Sequence, residues 1–235
     1  MPRIIAGGLA LRRCGNQDVA TGRRTPAAWK PQRHRGGLSM LSPPSSSAPV
    51  PELSLTTFDV LLEHIDAFVR RDFPLHQVLA YLRSNRMEPA ELERYLHWCP
   101  GRYSRNLVHR CGDFELLVLC WDRGQAAPIH GHEGELCWAR VEVGCLRFRN
   151  YLELERDGAR TRLIPTGPAV DGRPGYVDGP ADLHSVENLA STGERAVSLH
   201  LYARPFEECE IFDTETGTVC RKKLDYDSIG GRPCQ

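Results

Sequence analysis

Apolar residues spaced three or four positions apart predict helices at the start of the folded part of the chain. This spacing is the period of an amphipathic helix, and it continues from residue 57 to residue 98. Thr57 precedes the first stripe as an N-cap, and Pro89 falls in the first turn of a third helix that runs through Leu92 and Leu96. The earlier stripes are Phe58, Leu61, Leu62, Ile65, Phe68 and Val69, then Leu75, Val78, Leu79 and Leu82. They predict a small helical subdomain packed against a main domain.

From Tyr103 onward the pattern changes to short strand-like runs separated by turns. Many short antiparallel strands are typical of a closed barrel or jelly roll rather than a parallel sheet. We therefore expect a mainly β fold, with a barrel over residues 103–225. The clearest runs are Phe114–Trp121, Leu136–Val143, Leu146–Leu154, Arg195–Tyr202 and Glu210–Phe212, with turns at Asp157-Gly158, Asp171-Gly172, Asp178-Gly179 and Thr216-Gly217.

Residues 1–53 have a different composition from the rest of the chain. They are rich in Arg, Pro, Gly and Ser, which predicts a disordered, low-complexity extension before a folded domain over residues 54–235. Residues 1–50 carry eight basic residues and one acid, a net charge of +7, so the remainder carries −7. Such an Arg-rich, acid-poor segment can be an organelle transit peptide. An inert tail, or a true start at Met40, fits the same composition.

Charge and cysteine content exclude several classes of protein. The 30 basic and 30 acidic residues balance, so no global field favours nucleic acid or a membrane surface. No apolar run approaches the ~20 residues of a membrane-spanning helix. Nine cysteines without a secretory signal or a Cys-x-x-Cys pair are typical of reduced intracellular thiols. We expect a cytoplasmic monomer, with organelle targeting by the basic segment as the alternative.

Two closely spaced histidines form the first part of a candidate metal site. His130 and His132 lie in a strand-like stretch over residues 127–132, where alternate side chains share a face, so one ion can bind both imidazoles. The frame around them, G-x5-H-x-H-x4-C-x6-G from Gly124 to Gly144, resembles the first cupin motif with its usual Glu replaced by Cys.

A second segment, His184-x3-Asn188, resembles the second cupin motif. Together the two motifs imply a cupin-type jelly-roll barrel in which His184 completes the metal site. Three neutral imidazoles leave about half of an octahedral metal's positions open, which suits iron(II) chemistry with O2. The spacing alone also admits zinc, nickel, copper or manganese, and it admits histidines that only satisfy one another inside a barrel.

Several longer segments resemble the cysteine dioxygenase family. They are Tyr103-Ser-Arg-Asn-Leu-Val, Leu119-Cys-Trp, Ile129-His-Gly-His-Glu-Gly-Glu-Leu-Cys137, Leu183-His-Ser-Val-Glu-Asn, and Val197-Ser-Leu-His-Leu-Tyr202 followed by Phe206 and Cys209. The resemblance covers residues 103–212, with a fainter helical match before it. It implies an Fe(II) enzyme that adds O2 to the thiol of free L-cysteine to give cysteine sulfinic acid.

The resemblance also implies a role for each site residue. The metal ligands are His130, His132 and His184; the substrate carboxylate is held by Arg105 with Tyr103; a thioether cross-link joins Cys137 to Tyr202; and Ser198, His200 and Tyr202 orient the reacting groups. Strand alternation agrees in part, because it puts the last three side chains on one face of residues 197–202. An outward, solvated strand face is the alternative.

Arg204 makes a second substrate, 3-mercaptopropionate, compatible with the sequence. If the strand continues past Tyr202, Arg204 falls on the same face, where the related 3-mercaptopropionate dioxygenases carry an arginine, although those enzymes lack the arginine at the position of Arg105. The prediction remains cysteine, because Arg105 and Cys137 belong to the cysteine-specific pattern. The alternatives are a 3-mercaptopropionate or related small-thiol dioxygenase, a protein-cysteine or cysteamine dioxygenase, and a non-redox metal-binding cupin.

Overall fold

The structure is a computed structural model that describes residues 53–234. The prediction of a disordered extension therefore lies outside the described residues, apart from Leu53. The helices are α1 Phe58–Val69, α2 Leu75–Ser84 and α3 Pro89–Glu93. The strands are β1 Ser54–Thr56, β2 Asn85–Met87, β3 Ser104–Arg110, β4 Phe114–Trp121, β5 Ala126–His130, β6 Cys137–Val143, β7 Leu146–Asp157, β8 Arg160–Pro165, β9 Val170–Gly172, β10 Val177–Asp178, β11 Leu183–Glu187, β12 Ala196–Ala203, β13 Glu208–Asp213, β14 Thr218–Lys223, β15 Ser228–Ile229 and β16 Arg232–Pro233.

The helical subdomain follows the apolar stripes with two corrections. Thr57 caps α1, because its side-chain oxygen accepts from the Val60 backbone N–H. The predicted continuation of the third helix to Leu96 is wrong. The backbone tightens after Glu93 into turns in which Leu96 N–H bonds the carbonyl three residues earlier. Residues 85–87 are also not helical, since β2 pairs in parallel with β1.

Two seven-stranded sheets form the main domain. The first sheet has the order β10-β6-β12-β4-β3-β15-β16, and the second has β11-β5-β13-β14-β8-β7-β9. An additional pairing of β11 with β7 closes six strands of the second sheet into a ring. The first sheet extends past the predicted barrel end at residue 225, because β15 pairs in parallel with β3.

The first sheet divides the apolar core into two layers. Alternate residues of β12, such as Val197, Leu199 and Leu201, pack in a cluster with the helices. Tyr202 belongs to a second cluster, with side chains of β6, β7 and β11 between the sheets. Every residue of β4 and β12 is buried, so both faces of these central strands are covered.

The predicted mainly β architecture is confirmed. All five predicted strand runs coincide with observed strands within a few residues at each end. The Asp157-Gly158 and Thr216-Gly217 turns connect β7 to β8 and β13 to β14, whereas Asp171-Gly172 lies inside β9. Within residues 53–234, no helix is long and apolar enough to cross a membrane. The described chain is a mainly β barrel with a small N-terminal helical subdomain.

Candidate metal centre

The three predicted ligands meet between the two sheets. His130 ends β5, and it lies directly opposite His184 of β11 in the antiparallel register. His132 stands two residues beyond the strand, not within it as the alternation predicted, because the chain then turns through Glu133 and Gly134 at positive φ. The ring centroids are 4.7–5.1 Å apart, and one ring nitrogen of each histidine lies within 4.8 Å of the others.

Hydrogen bonds at the far side of each ring set the tautomers. His130 Nδ1 lies 2.9 Å from the Pro128 carbonyl, and His132 Nδ1 lies 2.9 Å from the Ala181 carbonyl. His184 Nδ1 lies 2.9 Å from Asp178 Oδ2. Because carbonyl and carboxylate oxygens only accept, each Nδ1 carries the proton and each Nε2 keeps its lone pair.

The Nε2 atoms fit a metal ion. Those of His132 and His184 are buried without a hydrogen-bond partner, and His130 lines the adjoining pocket. Burial, with a smaller contribution from the neighbouring His184, lowers the pKa of His130 to about 3 and that of His132 well below its usual value. The imidazoles of His130 and His132 are therefore neutral near pH 7. Three imidazole nitrogens that leave their lone pairs unused suit a divalent transition metal.

A hydrogen-bonded line of side chains runs along the inner face of β12. Ser198 Oγ lies 2.9 Å from His200 Nε2, and the Tyr202 hydroxyl lies 3.4 Å from His200 Nδ1. The Trp121 indole N–H donates to Ser198 Oγ over 2.9 Å. Buried Ser198 then has His200 Nε2 as the acceptor for its own proton, which puts the His200 proton on Nδ1. The Tyr202 hydroxyl then accepts from His200 Nδ1–H, and its own proton is left for another acceptor.

Arg105 and Tyr103 line the same pocket as His130, one of the candidate metal ligands. The pocket walls include Tyr103, Arg105, His130, His200, Tyr202 and Cys209. The Arg105 side chain is buried, with its Nε unpartnered and its Nη2 3.9 Å from Glu115 Oε2. Tyr103 is fixed by stacking on Trp121 at a centroid distance of 4.4 Å. A buried guanidinium that faces a pocket with unused donors can bind an anionic group.

Cys137 and Tyr202 face each other across two paired strands. Cys137 begins β6, and its position pairs with that of Tyr202 in the antiparallel register of β6 and β12. Directly opposite side chains in such a pair lie within contact distance. Both are buried, and burial is the main reason why the pKa of each is raised well above its usual value. A hydrogen bond with Tyr202 offsets part of the rise at Cys137.

Arg204 lies outside the pocket. The strand β12 ends at Ala203, and Arg204 takes a positive φ of 69° that turns its side chain away from the face of His200 and Tyr202. The side chain is 64% exposed, and its guanidinium lies 3.7–3.8 Å from carboxylate oxygens of Asp72 and Glu135. Arg204 would point into the pocket only if β12 continued through residue 204. Because the strand ends at Ala203, it does not.

Sequence reasoning missed supporting residues of the pocket. Trp121 stands in one of the quoted motifs but received no role, although its indole bonds Ser198. Glu115, buried behind Arg105, accepts a hydrogen bond from the Tyr226 hydroxyl. The available signal was a single acid within the otherwise apolar run Phe114–Trp121, because a buried carboxylate requires partners.

The chain matches known proteins over most of its length. A family model described as "Cysteine dioxygenase type I" matches residues 47–215. A human protein called "Cysteine dioxygenase type 1" is 33% identical over 167 residues, which is 70% of this chain and 82% of that protein. The protein of the same name from Danio rerio is 33% identical over 155 residues, 65% of this chain and 76% of its own length.

The chain also matches solved structures at lower sequence identity. An RmlC-like cupin protein from Desulfovibrio desulfuricans is 21% identical, with 51% of this chain and 99% of that chain covered and a TM-score of 0.34. The family is shown by the sequence matches, which span well over half of the chain. On that basis the chain belongs to the cysteine dioxygenase type I family.

Proposed function

We propose that the protein is an iron(II) dioxygenase that adds both atoms of O2 to the thiol of free L-cysteine, giving cysteine sulfinic acid. Family membership supports a dioxygenase. The observation that carries the finer proposal is the shared pocket. Ring nitrogens of the three histidines lie within 4.8 Å of one another, and one of these histidines, His130, lines a pocket together with the buried Arg105, so one molecule can present a thiolate to a metal and a carboxylate to Arg105.

The histidines would hold the iron through Nε2. Iron(II), when bound, supplies open coordination positions and the electrons that activate O2. The protein contributes rigid imidazole donors, since each ring is fixed by a hydrogen bond at its Nδ1. The transfer balances, because one thiol and one O2 give one sulfinic acid and no other reductant is consumed.

Arg105 would select the substrate by its carboxylate. A guanidinium can grip a carboxylate with two parallel hydrogen bonds, and burial strengthens the pair. Tyr103 borders the same space and is held by its stacking on Trp121. A thiol without a carboxylate, such as cysteamine, would leave the unused Arg105 donor without an acceptor and should react poorly.

Tyr202 would donate a hydrogen bond to the reacting groups. Its hydroxyl is oriented by the line through His200 and Ser198, which leaves its proton available to an acceptor in the pocket. Burial raises its pKa well above the usual value, so the hydroxyl stays protonated at neutral pH. A buried phenol at this position also excludes water from the pocket.

The position of Arg204 favours cysteine over 3-mercaptopropionate. The mercaptopropionate reading requires an arginine on the pocket face after Tyr202, and Arg204 is instead exposed beside Asp72 and Glu135. The arginine inside the pocket is Arg105. A substrate carboxylate is therefore expected at the Arg105 side of the site.

Oxygen uptake against a panel of thiols tests the proposal. Protein stripped of metal and reloaded with iron(II) should consume O2 and cysteine one to one, with much lower kcat/KM for 3-mercaptopropionate and cysteamine. Mass spectrometry of the product formed under ¹⁸O2 should show both labelled oxygens on sulfur. Preference for 3-mercaptopropionate would transfer the proposal to that substrate. Iron-loaded protein that consumes no O2 with any of the thiols would support a non-redox cupin instead.

A further inference from the structure

Asp178 connects the two sheets at the candidate metal centre. It ends β10 in the first sheet, whereas His184 lies on β11 in the second sheet. His184 Nδ1–H donates to Asp178 Oδ2 over 2.9 Å, and both side chains are buried. A buried carboxylate therefore contacts the ring of one predicted ligand on the side opposite to its free Nε2.

The Asp178 carboxylate is itself held in place. Its other oxygen, Oδ1, accepts from the Asn150 amide at 3.2 Å and lies 3.4 Å from the Tyr176 hydroxyl. Asn150 lies opposite His184 in the register of β7 and β11, so the three side chains form one packed group. A carboxylate fixed at both oxygens leaves the His184 ring little freedom to rotate.

The three histidines differ in the charge of their partners. His130 and His132 donate to neutral backbone carbonyls, whereas His184 donates to a carboxylate. A negative charge behind the imidazole strengthens its lone pair as a metal donor, and residues in this position typically change metal affinity 10- to 100-fold. The proposed site thus has one histidine backed by a carboxylate and two histidines backed by neutral carbonyl groups.

We infer that Asp178 is a positioning residue that orients His184 and, through its negative charge, raises the affinity of the site for a divalent metal. The inference rests on the proposed function, because it requires that the three histidines bind a metal. It assigns Asp178 two separable effects: a hydrogen bond that fixes the ring, and a charge that strengthens the donor.

Two substitutions separate the hydrogen bond from the charge. Asp178→Asn keeps an oxygen acceptor for His184 Nδ1–H without the charge, and Asp178→Ala removes both. The full-length protein, stripped of metal, is titrated with Co²⁺ against a competing chelator, and binding is followed by the visible absorption of the bound ion. We expect the Ala variant to lose roughly 10- to 100-fold in Co²⁺ affinity, with a smaller but measurable loss in the Asn variant.

The matched control is Asp182→Ala. Asp182 is an exposed acid on the same segment, two residues before His184. Its removal should leave Co²⁺ affinity unchanged, which separates a specific contact from a general loss of negative charge. Circular dichroism and thermal unfolding of each metal-free protein check the fold. If the Ala variant does not fold, the Co²⁺ affinity of the Asn variant, which keeps the side-chain shape, is compared with that of the wild type instead.

The possible results distinguish this inference from the proposed function. Tight Co²⁺ binding by the wild type and equal affinity in the Asp178 variants would overturn the role of Asp178 alone. Wild-type affinity in the Asn variant with loss in the Ala variant would overturn the charge effect. A wild-type protein that binds no Co²⁺ would overturn the metal centre, and with it both proposals.

Discussion

At the scale of single residues, Trp121 serves two parts of the pocket. Its ring stacks on Tyr103, with an interplanar angle of 21°, and its indole N–H donates to Ser198 Oγ. It therefore fixes a side chain near the predicted carboxylate clamp and begins the hydrogen-bonded line that ends at the Tyr202 hydroxyl. The two contacts use different features of the indole, so one substitution can separate them.

Trp121→Phe should lower kcat for cysteine more than it raises KM. Phenylalanine keeps an aromatic face for Tyr103 but leaves Ser198 without its donor, so the order of hydrogen bonds along the line is no longer fixed. A neutral hydrogen bond contributes about 1 kcal/mol, which corresponds to roughly fivefold in rate. Steady-state oxygen uptake measures both constants.

Trp138→Phe is the matched control for this substitution. Trp138 is also fully buried, but its indole nitrogen has no hydrogen-bond partner, and its ring packs with the helices. It should lower stability without a specific loss of kcat. An equal fall in kcat in both variants would indicate that core packing, rather than the hydrogen bond to Ser198, limits the rate.

Arg105→Ala should raise KM for cysteine roughly 10- to 100-fold. A charge-assisted pair with a carboxylate contributes on the order of 1.5–3 kcal/mol, and Arg105 is the buried arginine of the pocket. Arg204→Ala serves as the control, since Arg204 is exposed and should leave KM within a factor of two. The reverse pattern would move the carboxylate site to Arg204.

Some of these residues could be identified from the sequence, and others could not. Arg105 and the three histidines stand in motifs; the structure clusters the histidines, and one of them, His130, lines a pocket with Arg105. The orientation of Arg204 depended on whether β12 continued, and a single residue at positive φ decides that. No periodic pattern reports such a residue when it is not glycine. The supporting roles of Trp121 and Asp178 depend on partners that are distant in sequence, so spacing alone could not reveal them.

At the scale of elements, the register of β6 against β12 decides which side chains can react with each other. Cys137 pairs with Tyr202, and Ala139 pairs with His200, so the inner face of β12 meets small side chains on β6. A shift of one residue would move Tyr202 away from the thiol and reverse its face. The alternation of β12 was predictable from sequence, but its pairing partners were not.

Turnover should join Cys137 to Tyr202 in part of the protein. A thiol and a phenol held side by side near an oxygen-activating site can both be oxidised, and coupling of sulfur to the ring carbon beside the hydroxyl removes two hydrogens. Intact-protein mass spectrometry should show a form lighter by ~2 Da that reductants do not reverse, unlike a disulfide.

The cross-link should require iron, O2 and a thiol substrate together, since none of them generates the oxidant alone. Cys137→Ser should abolish the mass loss, whereas Cys220→Ser, at an exposed cysteine, should leave it unchanged. Active, iron-loaded protein that never shows the lighter form would argue against this pairing, although the three-histidine site would survive that result.

At the scale of the whole molecule, the site needs both sheets. His130 and His184 lie on strands of the second sheet, whereas Arg105, His200 and Tyr202 lie on the first. The helical subdomain covers the other face of the first sheet. Contacts that hold the helices to that sheet therefore also support the strands that carry the proposed substrate-binding groups.

A fully buried ion pair joins the helical subdomain to the first sheet. Arg140 Nε lies 2.6 Å from Glu142 Oε1, and the other oxygen of Glu142 accepts from the Met87 backbone N–H at 3.1 Å. The Arg140 guanidinium also donates to the carbonyls of Leu82, at the end of α2, and Asn85. The pair thus satisfies backbone groups that the end of a helix leaves unbonded.

Glu142→Gln should lower the free energy of unfolding by roughly 3–5 kcal/mol, because it leaves the buried Arg140 charge without its partner. The control is Asp171→Asn, which breaks the exposed pair with Arg147 and should cost less than about 1 kcal/mol. Urea denaturation measures both. Adding Arg140→Met to Glu142→Gln removes the unpaired charge and should recover part of the loss. Similar small losses for the buried and the exposed pair would mean that the helices are held to the sheet by apolar packing, with the ion pair contributing little.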